Sequence, residues 1–527
     1  MASKRRILFL LRALGSLALL LAVGFSVAIA ADEPTQGGTL TIALQATPTT
    51  IDWMTNNATS ARVVPIHIYE GLATFDGSLD PVPQLAESWE ANEDNTVWTF
   101  KLRQGITFHD GGALTAEDVV ASYERFLLVS PRSADFTGVE SVTALDDYTI
   151  QFTCSSPSRI PTLLALYAPQ AYVMPARYRD VGIGELAVED LIGTGPFKLV
   201  EWIPDKHIKL ARFDEYVPSD FPASGFAGKR IAYVDEVVFK CVTETGARVA
   251  GLETGEYDII EALPIEDVNR FDQDASIVVG KLSLPYLWVS AIMNTTKWPF
   301  SDLRMRQAVL AALCQDEIMS VVGHGRPEFY NVDPSIFMTP SKWYSDIGDR
   351  LGLYNQCDTE KAKRLMEEAG YDGEPIVIVT NHAYDSMYRA SMMTAAQLEK
   401  IGFAVELEVY DWPGARTRRG DLTAWDICYT GHTPRQDPSL YYGIYYGPNE
   451  WCGWQNDIFD RLIEEDMQTF DDAERYRIWE EIQAEFYRSV GPEIKHGDIY
   501  ALHAWQSYVQ GYAPAFFATA WNVWLDK

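Results

Sequence analysis

Two residue patterns interleave along the whole chain, and together they restrict it to a mixed α/β architecture. The first is period-two alternation. Leu40, Ile42 and Leu44 alternate with Thr39, Thr41 and Ala43, and Trp98, Phe100 and Leu102 share one face of 97–102. Side chains two apart point to the same side of a strand, so both stretches read as strands. Apolar, β-branched runs at 231–242, 375–380 and 403–410 extend the pattern. The second pattern is helical spacing behind a capping residue. Thr115 with Asp118 three residues on forms a capping box ahead of Val119, Tyr123 and Phe126. Asp302 precedes LRMRQAVLAALC. Asp358 or Thr359 precedes EKAKRLMEEAG, where Ala362, Leu365, Met366 and Ala369 form an apolar stripe and Gly370 ends the helix. Two more helices are expected at 457–468 and 472–490, the second stopped by Gly491-Pro492. Strands and helices mixed in this way define the α/β class.

The N-terminus carries an export signal. Lys4, Arg5 and Arg6 precede an apolar run at 7–23 interrupted by Arg12, and Ala28-Ile29-Ala30 supplies the small residues of a cleavage site. A signal peptide over 1–30, cut after Ala30, is the expectation, and the mature protein is then exported to the periplasm. No later run reaches the roughly 18 apolar residues of a membrane span. Loss of the four basic leader residues takes the formal net charge from −31 to −35. Such a field repels phosphate backbones and argues against nucleic acid as a partner. Cys154, Cys241, Cys314, Cys357, Cys428 and Cys452 all survive export into an oxidising compartment. Six cysteines allow about 15 connectivities, and nothing in their spacing selects one. None forms a C-x-x-C pair.

His109-Asp110-Gly111-Gly112 is the stretch that most resembles a site. The eight histidines are scattered, however, and none accompanies His109 at metal-ligand spacing. Asp-Gly between a strand and a capped helix is a turn signal. The chain has no nucleophile elbow, zinc-protease helix, calcium loop or phosphate-binding loop. Gly193–Phe197, GTGPF, lacks the rest of a phosphate fingerprint. No catalytic residue, metal site or cofactor is expected, and a secreted hydrolase is the remote alternative.

Seven stretches carry a resemblance. FDGSLDPVPQLAESWE at 75–90, LRQGITFHDGGALTAEDVVASYERF at 102–126, GTGPFKLVEW at 193–202 and YVDEVVFKCV at 233–242 with GLETGEYDI at 251–259 come in order. MNTTKWPFSDLRMRQAVLAAL at 293–313, DTEKAKRLMEEAGYDG at 358–373 and VQGYAPAFFATAWNVWL at 509–525 follow. Together they resemble the extracytoplasmic solute-binding proteins of ABC importers, family 5, the peptide/nickel-type group. The likeness spans nearly all of 37–527.

The resemblance implies a two-lobed periplasmic binding-protein fold (class II, cluster C) with a small inserted domain. Domain I would comprise 31–76, 188–290 and 491–527, domain II the insert 77–187, and domain III 291–490. A small solute or peptide would be enclosed between I and III and delivered by this protein, a monomer, to the membrane subunits of an ABC permease.

The resemblance also places candidate ligand residues. Trp412 and Arg419 match an aromatic and an arginine on the chamber wall of the family's peptide binders. Asn57, Ala58 and Thr59 match a segment lying along the ligand. Trp288 and Asn294 lie near the crossing between domains, and Tyr384 follows a strand. A tryptophan is common where His432 stands. Three residues after it, those binders carry an aspartate that pairs with the ligand's ammonium, and here that residue is Arg435, with Pro434 one position before. Arginine repels an ammonium and favours a carboxylate or another anion. Asp437, before Pro438, is expected to shape the loop. The expected ligand is therefore oligopeptide-like or, by the Arg435 departure, a non-peptide such as an oligosaccharide, an opine or an organic acid.

Overall fold

A computed structural model describes residues 33–527 except 57, 166–170, 434, 448 and 450. Gln36–Lys527 forms one compact unit. The expected leader, 1–30, lies outside the described residues.

Three sheets organise this unit. In the seven-stranded sheet the order is Ile277–Lys281, Leu502–Gln506, Ile259–Ile260, Thr39–Leu44, Glu236–Cys241, His207–Arg212 and Phe197–Ile203. At its centre Thr39–Leu44 runs parallel to both neighbours. The six-stranded sheet has the order Tyr330–Asn331, Glu493–Ile499, Leu287–Met293, Ile427–His432, Ile376–Asn381 and Val405–Tyr410. Here Ile376–Asn381 runs parallel to both neighbours. A separate antiparallel sheet pairs Ala86–Ala91, Val97–Leu102, Thr149–Cys154 and Val139–Asp146, within the segment expected as the insert. Each large sheet has its own buried core, with Leu40, Ile42 and Phe239 in the first and Val289, Ile378 and Ile427 in the second.

The local signals act as their chemistry requires. The Asp118 carboxylate accepts from the Thr115 N–H and hydroxyl, both at 2.9 Å, at the start of the helix Ala116–Val129. Asp302 caps Leu303–Ala312 and Asp358 caps Thr359–Ala369, each accepting from a first-turn N–H. Gly370 then adopts a left-handed φ of 84° that a Cβ would strain. Asp110 accepts from Gly112 N–H at 3.1 Å, and His109 Nε2 bonds the Gly195 carbonyl at 3.0 Å. Burial pushes the His109 imidazole down to about 4. This stretch is a turn fastened to 193–195, the role its Asp-Gly pair implies.

Two adjacent segments connect the large sheets. Residues 282–286 leave the seven-stranded sheet after Ile277–Lys281, and residues 500–501 return to it before Leu502–Gln506. Leu282 N–H donates to Ala501 O at 3.0 Å and Tyr286 N–H to Ile499 O at 2.8 Å, so the two crossings are hydrogen-bonded side by side. Glu493–Ile499, inside the 491–527 segment expected in domain I, pairs with Leu287–Met293 in the six-stranded sheet. The Gly491-Pro492 break ends a helix, and the chain then completes the second sheet before it crosses. Cys314 and Cys357 are disulfide-bonded, while Cys154, Cys428 and Cys452 are buried thiols. No helix among the described residues is long and apolar enough to cross a membrane.

Candidate functional site

The carboxyl ends of the parallel strands of both sheets open on one cavity of about 610 Å³. From the first sheet come Leu44, Gln45 and Ala46, which follow the central strand, and Glu261 to Glu266, which follow Ile259–Ile260. From the second come Ala383 to Ser386, after Ile376–Asn381, and Thr433, after Ile427–His432. Leu282, Tyr286 and Ile499 to Leu502 close the back where the crossings run. A groove at strand ends is where ligands settle in α/β sheets, because loops there are free to vary above a fixed scaffold. Two other cavities, of about 70 and 200 Å³, are smaller.

The candidates from the sequence separate into those at this cavity and those elsewhere. Tyr384 lines it, and Trp412 packs edge-on against Tyr384 with centroids 5.1 Å apart. Ala58 is exposed, its N–H held by Asn56 Oδ1 at 2.7 Å. Thr59 begins a short 3-10 turn, and Asn57 lies outside the described residues.

The remaining candidates are committed to bonds within the six-stranded lobe. Asn294 donates to Leu422 O and Trp425 O at 2.6 and 2.9 Å and accepts from Thr296. The Arg419 guanidinium covers the Trp451 ring at 4.7 Å. His432 stacks on Trp451 and meets Trp288 edge-on, and its Nε2 lies 2.9 Å from Glu493. Burial raises Glu493, but His432, Ser290 and Tyr445 outweigh it and hold the carboxyl below its usual range. The Arg435 guanidinium lies over Tyr441 at 5.5 Å and donates to Leu440 O at 2.6 Å. Asp437 accepts two bonds from Arg475, each 3.0 Å, and caps Pro438–Tyr441 through Ser439 N–H. Pro434 is outside the described residues.

Residues that the sequence did not single out supply the charge of the cavity. Glu261, Glu266 and Asp385 line it, together with His324 and His503. His324 Nε2 lies 3.1 Å from Asp385 and 3.9 Å from Glu266, so it spans the two walls. Beside it, Arg326 reaches Asn269 Oδ1 at 2.8 Å and Asp272 at 3.2 Å on the first lobe. Away from this cavity, at the one of about 200 Å³, Lys342 joins Asp80 and Asp472 at 2.8 and 2.7 Å. Glu261 carried a legible signal, a lone acid in the otherwise apolar run Ile259 to Ile265. Among the described residues no cluster of His, Cys, Asp and Glu has the form of a metal site.

Two α/β lobes joined by paired crossings around an interlobe cavity make a two-lobed periplasmic binding-protein fold. The family model for bacterial extracellular solute-binding proteins, family 5, matches residues 80–451, and the chain belongs to that family, whose members serve ABC importers. It is 30% identical over 488 residues to the "Probable peptide ABC transporter periplasmic-binding protein y4tO" of Sinorhizobium fredii, covering 88% of this chain and 90% of that one. The Helicobacter pylori periplasmic binding protein DppA, solved in complex with the peptide STSA, is 26% identical with a TM-score of 0.70, over 94% of this chain and 99% of that one. The substrate-binding protein CtaP of Listeria monocytogenes shares the fold at a TM-score of 0.81 and 24% identity, over 94% of this chain and all of its own.

Proposed function

We propose that this chain is exported, loses residues 1–30, and acts as a monomeric, non-catalytic carrier in the periplasm. It encloses one oligopeptide-like or other small polar solute between its lobes and presents it to the membrane subunits of an importer. The observation that carries this reading is the cavity itself. Its volume of about 610 Å³ falls within the range of sites that bury a whole small ligand, roughly 300–1,000 Å³. It is walled by both sheets and backed by the paired crossings, so lobe rotation opens and shuts it without unfolding either core. The Sinorhizobium relative, named as a probable peptide ABC transporter periplasmic-binding protein, and the Helicobacter protein, solved with a bound peptide, support a peptide-like solute.

In this reading domain I is the seven-stranded lobe, domain II the insert near 77–187, and domain III the six-stranded lobe extended to about residue 499. Tyr384 contacts the solute and Trp412 fixes its ring. Arg435, turned onto Tyr441, supports the loop and does not select an anion.

The test is a thermal-shift screen of the mature protein against di- to pentapeptides, sugars and organic acids, followed by calorimetry. Saturable one-to-one binding by a peptide or similar polar solute, abolished by Ala46→Trp in the cavity wall, is the expected result. Turnover of any solute, or binding that Ala46→Trp leaves intact, overturns the reading.

A further inference from the structure

The cavity presents acids to its contents and no fixed base. Glu261, Glu266 and Asp385 are its carboxylates, and neither lysine nor arginine is among its lining residues. Two of the acids already have a partner. His324 sits between Glu266 and Asp385. Glu261 is different. It is 4% exposed and forms no ion pair among the described residues.

The surroundings of Glu261 explain why a carboxylate survives there. Backbone N–H groups of Gln45 and Ala518 donate to it. Arg248 lies behind it but spends its guanidinium on carbonyl oxygens, Val242 at 2.8 Å, Thr243 at 3.1 Å and Glu261's own at 3.3 Å. His503 and Tyr512, the other polar groups packed nearby, bond each other at 2.6 Å. Burial holds the His503 ring neutral, down to about 3. A desolvated carboxylate with two hydrogen bonds, near an Arg248 that makes no ion pair with it, is an expensive arrangement. Burial pushes it up to about 7, against the pull of the two N–H groups and Arg248. A cation entering the cavity supplies the ion pair that Glu261 lacks, where water has already been excluded.

We propose that Glu261 is the specificity-determining anchor of the chamber, pairing on the seven-stranded lobe with an ammonium or guanidinium group of the solute. The proposal rests on the chamber being the ligand site. It reverses the preference drawn from Arg435, because that arginine is turned away onto Tyr441 while the lining is acidic.

The test compares three probe sets on the mature protein by calorimetry at pH 8. They are cationic solutes (Ala-Lys-Ala, agmatine, spermidine), the N-acetylated, C-amidated neutral peptides, and acidic solutes (succinate, N-acetyl-Ala-Glu). The expected result is binding confined to the cationic set and weakened about 10- to 150-fold by Glu261→Gln, the worth of one hydrogen bond to a charged group. Glu261→Gln must at the same time keep or raise the melting temperature, which a merely structural role would not do. Neutral or acidic probes that bind parent and Glu261→Gln equally, and are blocked by Ala46→Trp, overturn this proposal and leave the chamber intact. Failure of all three sets, or binding indifferent to Ala46→Trp, overturns both.

Discussion

Replacing Glu261 with glutamine separates its contribution to stability from its contribution to binding. Its carboxyl is raised from 4.5 to about 7 by burial. Its folded-state pKa is thus above the unfolded one. The folded state keeps a proton that the unfolded chain releases, and the stabilising contribution is complete below about pH 4.5. It is lost as pH rises through about 7. At about 1.4 kcal/mol per unit, the loss between pH 5 and pH 8 is roughly 2 to 3 kcal/mol. Glutamine does not titrate, so the variant escapes this loss. Unfolding entropy for a unit the size of Gln36–Lys527 is roughly 1 kcal/mol per kelvin. Relative to the parent, the melting temperature of Glu261→Gln should therefore climb by about 2 to 3 °C from pH 5 to pH 8, and by about twice that if the lobes melt separately. Calorimetric scans of both proteins at the two pH values measure it. A difference that is the same at pH 5 and pH 8 refutes the burial of an unpaired carboxylate at 261.

Other perturbations test the remaining structure. Arg475→Leu strips Asp437 and Asp466 of a buried partner that contacts both at 3.0 Å. Urea unfolding should show a loss of about 3 to 5 kcal/mol, against little loss for the exposed Arg477→Leu. Reduction of Cys314–Cys357, which closes a loop of sequence separation 43, should cost up to about 4 kcal/mol by loop entropy, read as a lower melting temperature in dithiothreitol that Cys314→Ser/Cys357→Ser reproduces. Arg326→Ala removes a bridge to Asn269 and Asp272 across the lobes. It should raise the solute's dissociation rate in stopped flow with little effect on melting, and an unchanged rate would remove Arg326 from lobe closure.

Much of the fold was written locally, and the site was not. Thr115, Asp302 and Asp358 cap their helices because a cap depends on residues two or three apart, and the Asp110-Gly111 turn is equally local. Cys314 meets Cys357 through helix packing, which spacing does not encode. The strand Glu493–Ile499 sits in the second sheet because its register with Leu287–Met293 is set over some two hundred residues. Tyr384 lines the cavity, as expected of a loop that follows a parallel strand. Asp437 and Arg435 follow a similar strand, but their side chains turn inward to Arg475 and Tyr441, and sequence position carries no such direction. Glu261 was passed over because one acid among 74 draws no notice until three-dimensional packing shows that it is buried without an ion pair among the described residues.

Hydrogen exchange of the mature protein with and without a bound solute tests enclosure most directly. Opening and closing of amides at both walls and at the hinge report which surfaces the solute shields. Slowed exchange together at 261–266, at 383–386 and at the crossings 282–286 and 499–502 is the predicted result. Protection confined to one lobe, or centred away from these segments, would contradict the claim that the solute is held between the two sheets.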